Sequence, residues 1–301
     1  QGLVRDNIGN PELKWETVSK LNMGVDLSLL KDRLNVSFDV YQNNTEDMIT
    51  YESTTTTTGF DYIVTNSGSM QTQGYDLSLN SRLIKTSDFG LDVGLNLSRY
   101  VNEVTRLPGE PIISEFGGAT YITHEGQDAN LFYGFKTNGV YATTAEANAE
   151  GLSRPLGNGN LLPFEGGDIR FEDLNGDKII DDRDRSVIGN PNPDLTGSFN
   201  AKLNYKRLSL SALFYFSVGN DLYNGVRYNL EGMSGYENQS IAVLNRWVAE
   251  GQQTSIPRAT WGDPLGNASF SDRWIEDCRW LDRRIRRQAE PKHRNHRDRL
   301  G

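Results

Sequence analysis

The chain has 301 residues, 36% of them hydrophobic, a mean hydropathy of −0.58 and a formal charge of −9. No run approaches the ~18 apolar residues of a spanning helix, which excludes helical membrane insertion, but a transmembrane β-barrel escapes that test because its strands are only about half apolar. The charge is uneven: residues 279–301 hold nine Lys/Arg against three Asp/Glu, so the remainder is an acidic body of −15, which argues against nucleic acid as a partner.

The chain begins at Gln1 without a Met or a charged-then-apolar leader, so the expectation is a removed signal peptide or an internal piece of something longer. The first hairpin spans Thr17 to Asn43. Leu21, Met23, Val25, Leu27 and Leu29 share one face of its first arm, and Leu34, Val36, Phe38 and Val40 one face of its second, with Lys31-Asp32-Arg33 as a short turn. Residues 44–69, polar and threonine-rich, read as an outer loop. A second hairpin near 70–98 follows, with Tyr75, Leu77 and Leu79 alternating in one arm and Phe89, Leu91, Val93, Leu95 and Leu97 in the other. Residues 99–194 are rich in Gly, Pro, Asn and Asp and read as a long outer loop, acceptable outside a barrel mouth though not inside a compact domain.

A third hairpin, 195–218, turns at Lys206-Arg207. Residues 219–272 read as another outer loop with a short helix near Ile241 to Glu250, where Ile241, Leu244, Trp247 and Val248 recur at helical spacing; Arg273-Trp274-Ile275 should open a seventh strand. Tight turns at one end and long excursions at the other match an outer-membrane barrel with its turns in the periplasm. A soluble sandwich also alternates, although its loops need not be so unequal. Tyr205, Phe214, Phe216, Tyr223 and Tyr228 are expected in aromatic girdles at the lipid interface. From Cys278 the composition jumps to arginine. The tail is read as a slip of the coding frame near Cys278 in preference to a basic arm for nucleic acid or anionic lipid.

The sharpest local signal for chemistry runs from Asp173 to Asp184. Side chains of Asp173, Asn175, Asp177, Asp181 and Asp184, with the carbonyl of Ile179, fall at the spacing that wraps oxygens around Ca2+. Lys178 stands where that cage favours glycine, and Asp184 where it favours the longer Glu. The other reading is an Asp/Asn/Gly turn that ends the loop. No catalytic set is visible: of His124, His293 and His296, two lie in the tail, and Gly157-Asn158-Gly159 lacks the setting of a phosphate loop. One cysteine, Cys278, excludes an intrachain disulfide framework.

Asn10-Pro11-Glu12-Leu13-Lys14-Trp15-Glu16-Thr17, Asn66-Ser67-Gly68-Ser69-Met70, Gly167-Asp168-Ile169-Arg170-Phe171, Ile188-Gly189-Asn190-Pro191-Asn192-Pro193 and Leu244-Asn245-Arg246-Trp247 occur in order. Together they resemble the C-terminal part of the SusC/RagA family of TonB-dependent outer-membrane transporters, over about Gln1 to Asp277. The resemblance implies an all-β, antiparallel transmembrane β-barrel fragment, about six strands of a 22-stranded barrel, with long extracellular loops that include the calcium-type loop. It also implies an internal plug, a SusD-like surface lipoprotein as lid, TonB as the source of energy and a glycan or peptide as cargo. The location would be the outer membrane of a Gram-negative, Bacteroidetes-type cell, with lipid against the wall and no enzymatic step. On this reading residues 1–277 form the partial barrel and 278–301 a tail foreign to it. Six strands cannot close a plugged barrel, so the isolated chain is expected neither to fold stably nor to transport. The competing reading is a soluble secreted β-sandwich that binds glycans through aromatics and a calcium loop; a basic-tailed adaptor is a third.

Overall fold

Strands β1 (Thr17–Leu29), β2 (Leu34–Ser53), β3 (Tyr62–Lys85) and β4 (Phe89–Arg106) run antiparallel in sequence order, and the sheet resumes far along the chain. The computed structural model describes residues 9–53, 59–60 and 62–277. The basic tail from Cys278 to Gly301 and the run Thr54 to Thr58 fall outside the described residues, and so do the readings made of them. Between β4 and the next sheet strand lie β5 (Ile112–Phe116), β6 (Ala119–Thr123), β7 (Leu131–Phe135), β8 (Thr137–Val140), helix α1 (Thr144–Glu150), β9 (Ser153–Pro155), β10 (Leu161–Pro163), β11 (Ile169–Phe171) and β12 (Arg185–Gly189). Then β13 (Leu195–Tyr205) pairs with β4, and β14 (Leu208–Val218) completes a six-stranded sheet in the order β1-β2-β3-β4-β13-β14. The chain closes with β15 (Asp221–Tyr223), helix α2 (Gly225–Glu231) and β16 (Ile275–Asp277).

The register turns the alternation of each strand into rows across the whole sheet. Leu27, Val36, Leu79, Leu95, Phe199 and Phe214 stand opposite one another in successive pairs, as do Val25, Phe38, Leu77, Leu97, Gly197 and Phe216. One residue along, the rows are polar: Asp26, Ser37, Ser78, Asn96, Ser198 and Tyr215. The apolar rows remain open to the surroundings, with Leu21 at 59%, Met23 at 65% and Phe214 at 60% exposure. A water-soluble sandwich would bury this face against a second sheet, and contiguous apolar surface of this size marks a lipid or protein partner. The apolar band is about as long as the 9–11 tilted residues that span a membrane. Three short turns join the strands at one end. The first holds Leu30, Lys31 and Asp32 all at positive φ (57°, 58° and 62°), and Lys206 at 51° does the same for β13–β14. Both outer strands of the sheet, β1 and β14, are unpaired edges, so the barrel is not closed by the described residues.

The expected loop at 44–69 is largely strand. β2 has 20 residues and β3 has 24, which is roughly 80 Å of extended chain for β3 against an apolar band about 25 Å tall. The upper halves of both strands stand clear of that band, so lipid imposes no regular alternation on them. A bulge adds to the disguise: the register shifts between Thr45 and Met48, around Asp47 at φ 57°.

The long stretch read as loop from 99 to 194 also has structure of its own, and it holds the hydrophobic core. Phe135, Tyr141, Ala147, Leu152, Phe164, Ile169, Phe171, Ile180 and Leu265 pack together beyond the end of the sheet, with Phe171 against Phe135 and Phe164 at ring separations of 5.5 and 5.8 Å. This hood is assembled from strands of three to five residues, too short to show a period. Helix α1 is capped by Thr143, whose hydroxyl accepts from Glu146 N, and is stopped by Gly151 at φ 70°.

Residues 219–272 join the same hood. Instead of a helix over Ile241 to Glu250 there is a 3-10 turn, Ile241–Asn245, with Ile241 and Leu244 at 83% and 71% exposure. The helix in this region is α2. The seventh strand does not open at Arg273: Asp272–Trp274 is another 3-10 turn, and Ile275–Asp277 pairs with Asp221–Tyr223 in a two-stranded sheet apart from the wall. Trp274 is fully buried and meets Tyr228 edge-on, while Tyr223 packs between Tyr228 and Phe270. Tyr223 and Tyr228 therefore pack half-buried within the hood and not in a girdle on the wall. Tyr205, Phe214 and Phe216 do stand exposed on the apolar face of the wall.

Candidate functional site

The strings quoted for the family resemblance meet one another, or one another's neighbours, in space. Lys14 N donates to Asn66 Oδ1 at 2.9 Å, and Asn66 Nδ2 donates back to the carbonyls of Lys14 and Asp47 at 2.9 and 2.7 Å. The Lys14 ammonium pairs with Asp47 at 2.8 Å. These bonds tie the segment before β1 to the upper halves of β2 and β3. Asn190 donates from Nδ2 to Asp128 at 2.7 Å and from its backbone N–H to Asp221 at 2.8 Å, fastening the end of β12 to the loop at Asp128 and to the start of β15 where the chain returns to the wall.

The tightest junction is at Asp168, fully buried just before β11. Arg258 grips its carboxylate with Nε on Oδ1 at 2.8 Å and Nη2 on Oδ2 at 2.9 Å, while Asn267 Nδ2 and Glu165 N donate to the same two oxygens at 2.9 and 2.8 Å. The remaining Arg258 nitrogen, Nη1, reaches Glu165 at 2.9 Å. Asn267 in turn accepts from Ile169 N at 2.7 Å. Next to this, Gly167 at φ 88° lies under the Trp247 indole, where a Cβ would strike the ring, and Trp247 Nε1 donates to Ala142 O at 3.0 Å. Trp247, expected on a helix, thus packs onto a glycine turn from a stretch that is not helical. Neither Asp168 nor Arg258 stands out as a pair in the sequence, since they are 90 positions apart; the only local hint is the string around Gly167.

In the acidic loop the turn geometry matches the spacing. Gly176 N and Lys178 N donate to the two oxygens of Asp173 at 2.8 and 2.9 Å, Asp177 N to Asn175 at 2.8 Å, and Ile179 N to Asp177 at 2.9 Å. Lys178 takes the left-handed conformation, φ 64°, that favours glycine at this position. Asp184 is buried and turned back on the loop, accepting from Leu174 N at 3.0 Å and Asp181 N at 2.9 Å. Positive charge comes from Arg183, whose guanidinium bridges Asp177 at 2.7 Å and Asp181 at 2.8 Å. Its side-chain and backbone donors hold the Asp181 carboxyl below the usual carboxylate range. As the side chains stand, no three Asp, Glu, His or Cys among the described residues converge on a metal position. With Arg183 in that place, a calcium cage on Asp173, Asn175, Asp177, Ile179, Asp181 and Asp184 does not fit unless the guanidinium moves.

On the wall, the polar face carries a shallow groove of about 350 Å³ lined by Asp39, Asp76, Ser78, Asn96, Ser198 and Tyr215, among others. In a closed barrel this face looks inward.

The family described as "TonB dependent receptor-like, beta-barrel" matches residues 2–248. The chain belongs to this family. Among curated members it is 34% identical over 266 residues to TonB-dependent receptor P3 of Formosa agariphila, covering 85% of this chain and 26% of the relative. It is 28% identical to TonB-dependent receptor SusC of Bacteroides thetaiotaomicron, covering 78% of this chain and 22% of that protein. In fold it is similar to a chain of the RagAB peptide transporter, with a TM-score of 0.68 at 24% identity over 92% of this chain and 29% of that one. This receptor segment spans about a quarter of the length of these relatives. Its place is the outer membrane, where the open apolar rows of the wall meet lipid.

Proposed function

We propose that the chain is part of the wall and the outer hood of an active importer of glycans or peptides, working with TonB and beneath a surface lipoprotein of the SusD type. One observation carries the reading: six strands present a continuous, uncovered apolar band, and a packed hood rises from the end away from the tight turns. Of the two cargo classes, only peptide has support in a relative's name, RagAB being called a peptide transporter. Import changes no bond in the cargo, so the receptor is proposed to have no catalytic step. Among the described histidines His124 is alone, with Nδ1 beside the Glu125 carbonyl at 2.9 Å. The full-length receptor should be recovered with the outer membrane and need detergent for extraction. Uptake of labelled oligosaccharides or oligopeptides should stop when TonB or the lipoprotein is deleted. A water-soluble monomer, or uptake indifferent to both deletions, would defeat the reading.

We further propose that calcium enters the acidic loop by displacing Arg183. The left-handed Lys178 and the Asp173 turn bonds support a backbone already wound for such a cage, and the solvent-exposed Arg183 side chain would release Asp177 and Asp181 as calcium enters. Calcium supplies the cross-link between the carboxylates when bound. Calorimetry on the full-length receptor should show calcium binding that tightens in Arg183→Gln, because the competing cation is gone. Equal affinity in the two proteins, or no binding to either at millimolar calcium, would refute it.

A further inference from the structure

Every tight turn of the wall is basic. Lys31 and Arg33 stand in the β1–β2 turn, Lys85 ends β3 at the β3–β4 turn, and Lys206 and Arg207 make the β13–β14 turn, with only Asp32 and Asp88 on the acidic side. Composition does not account for this, since the whole chain carries 40 Asp and Glu against 31 Lys and Arg. Backbone bonds set the turns side by side: Arg82 N donates to Arg33 O at 2.8 Å, and Lys206 N to Asp88 O at 2.8 Å. All five cations are exposed. Of the cations at this end, only Arg82 has an ion pair among the described residues, with Asp92 at 2.9 Å.

Apolar surface runs up to these charges without a gap. Leu29 and Leu30 precede Lys31, Leu83 and Ile84 precede Lys85, and Tyr205 and Leu208 flank Lys206-Arg207, each of them at least 40% exposed. The Lys206 ammonium lies over the Tyr205 ring, 5.4 Å from its centroid, which places it on the lipid-facing side of the wall. Lysine and arginine stems rest along apolar surface while their heads stay in polar surroundings, so here the heads meet the level where hydrocarbon gives way to phosphate. We propose that this basic rim binds the phosphate headgroups of anionic phospholipids in the leaflet on the side of the tight turns. In a barrel with short periplasmic turns that leaflet is the periplasmic one. Headgroup binding follows from the wall's contact with lipid and does not depend on what is imported.

The full-length receptor, purified in neutral detergent and mixed with equal amounts of phosphatidylglycerol and phosphatidylcholine, can be weighed with its bound lipids by native mass spectrometry. A cation close to an anionic headgroup is worth roughly five-fold in binding, so two sharing one headgroup should favour phosphatidylglycerol by about ten-fold or more. Lys31→Gln, Arg33→Gln, Lys85→Gln, Lys206→Gln and Arg207→Gln together should bring the two lipids to parity. Arg106→Gln with Lys136→Gln, which removes exposed cations at the hood end, should leave the preference unchanged. Heat-resistant barrel on unboiled gels shows which variants fold, and if the five-fold variant does not, Lys206→Gln with Arg207→Gln should still lower the preference. No preference in the wild type, which would leave the rim to a soluble partner, overturns the proposal. So does a preference that survives loss of the turn cations, or an equal loss in the hood control.

Discussion

Asp168→Ala should open the hood while leaving the wall in the membrane. The substitution removes a fully buried carboxylate that accepts four hydrogen bonds, two from Arg258, one from Asn267 and one from Glu165 N. Breaking a buried ion pair by deleting one partner costs about 3–5 kcal/mol, because the other charge is left without compensation. The Arg258 side chain retains 27% exposure, so the lower end applies, about 3 kcal/mol, or roughly a hundred-fold in the ratio of open to closed hood. Limited trypsin digestion of the full-length receptor in detergent reads this directly. Cleavage between Tyr141 and Phe270 should speed up about a hundred-fold while the heat-resistant barrel persists on unboiled gels. Digestion at the wild-type rate would show that the Asp168–Arg258 junction does not hold the hood.

Phe199→Arg is the matching experiment on the wall. Phe199 sits in the row Leu95, Phe199, Phe214 and stacks on Phe214 with ring centroids 6.4 Å apart. Arginine on the lipid face near the bilayer midplane costs about 2–4 kcal/mol. Asn96→Arg is the control, one row away on the opposite face, where the side chain is exposed and its loss removes a single hydrogen bond to Ser198 at 3.1 Å. It should cost about 1 kcal/mol. The folded fraction of full-length receptor in the outer membrane, scored by heat modifiability, should fall sharply for Phe199→Arg and little for Asn96→Arg. Equal losses would mean that the apolar rows do not face lipid.

The wall was legible because each strand carries its own instructions. Alternation at Leu21 to Leu29 or Phe89 to Leu97 assigns faces without knowledge of any partner, and the short turns fix which strands are neighbours. What failed was the part of β2 and β3 above the lipid. There no lipid imposes an alternation and the bulge at Asp47 breaks the count, so the period that marks the lower halves is lost.

The hood was illegible for a different reason. Its strands of three to five residues have no period, and its stabilising contacts join distant positions, as with Asp168 and Arg258, or Thr137 and Asp272, 135 apart. In the acidic loop the sequence placed the oxygens at the right spacing, yet gave no sign that Arg183 would lie across Asp177 and Asp181. The sequence alone determined which side of each wall strand turns to lipid, and the ordered strings that mark the receptor family. Tertiary structure decided where the hydrophobic core lies and what each buried charge answers to. A lipid-facing pattern is written residue by residue against a uniform solvent, whereas a packed core depends on which remote segment arrives, and no local period encodes that.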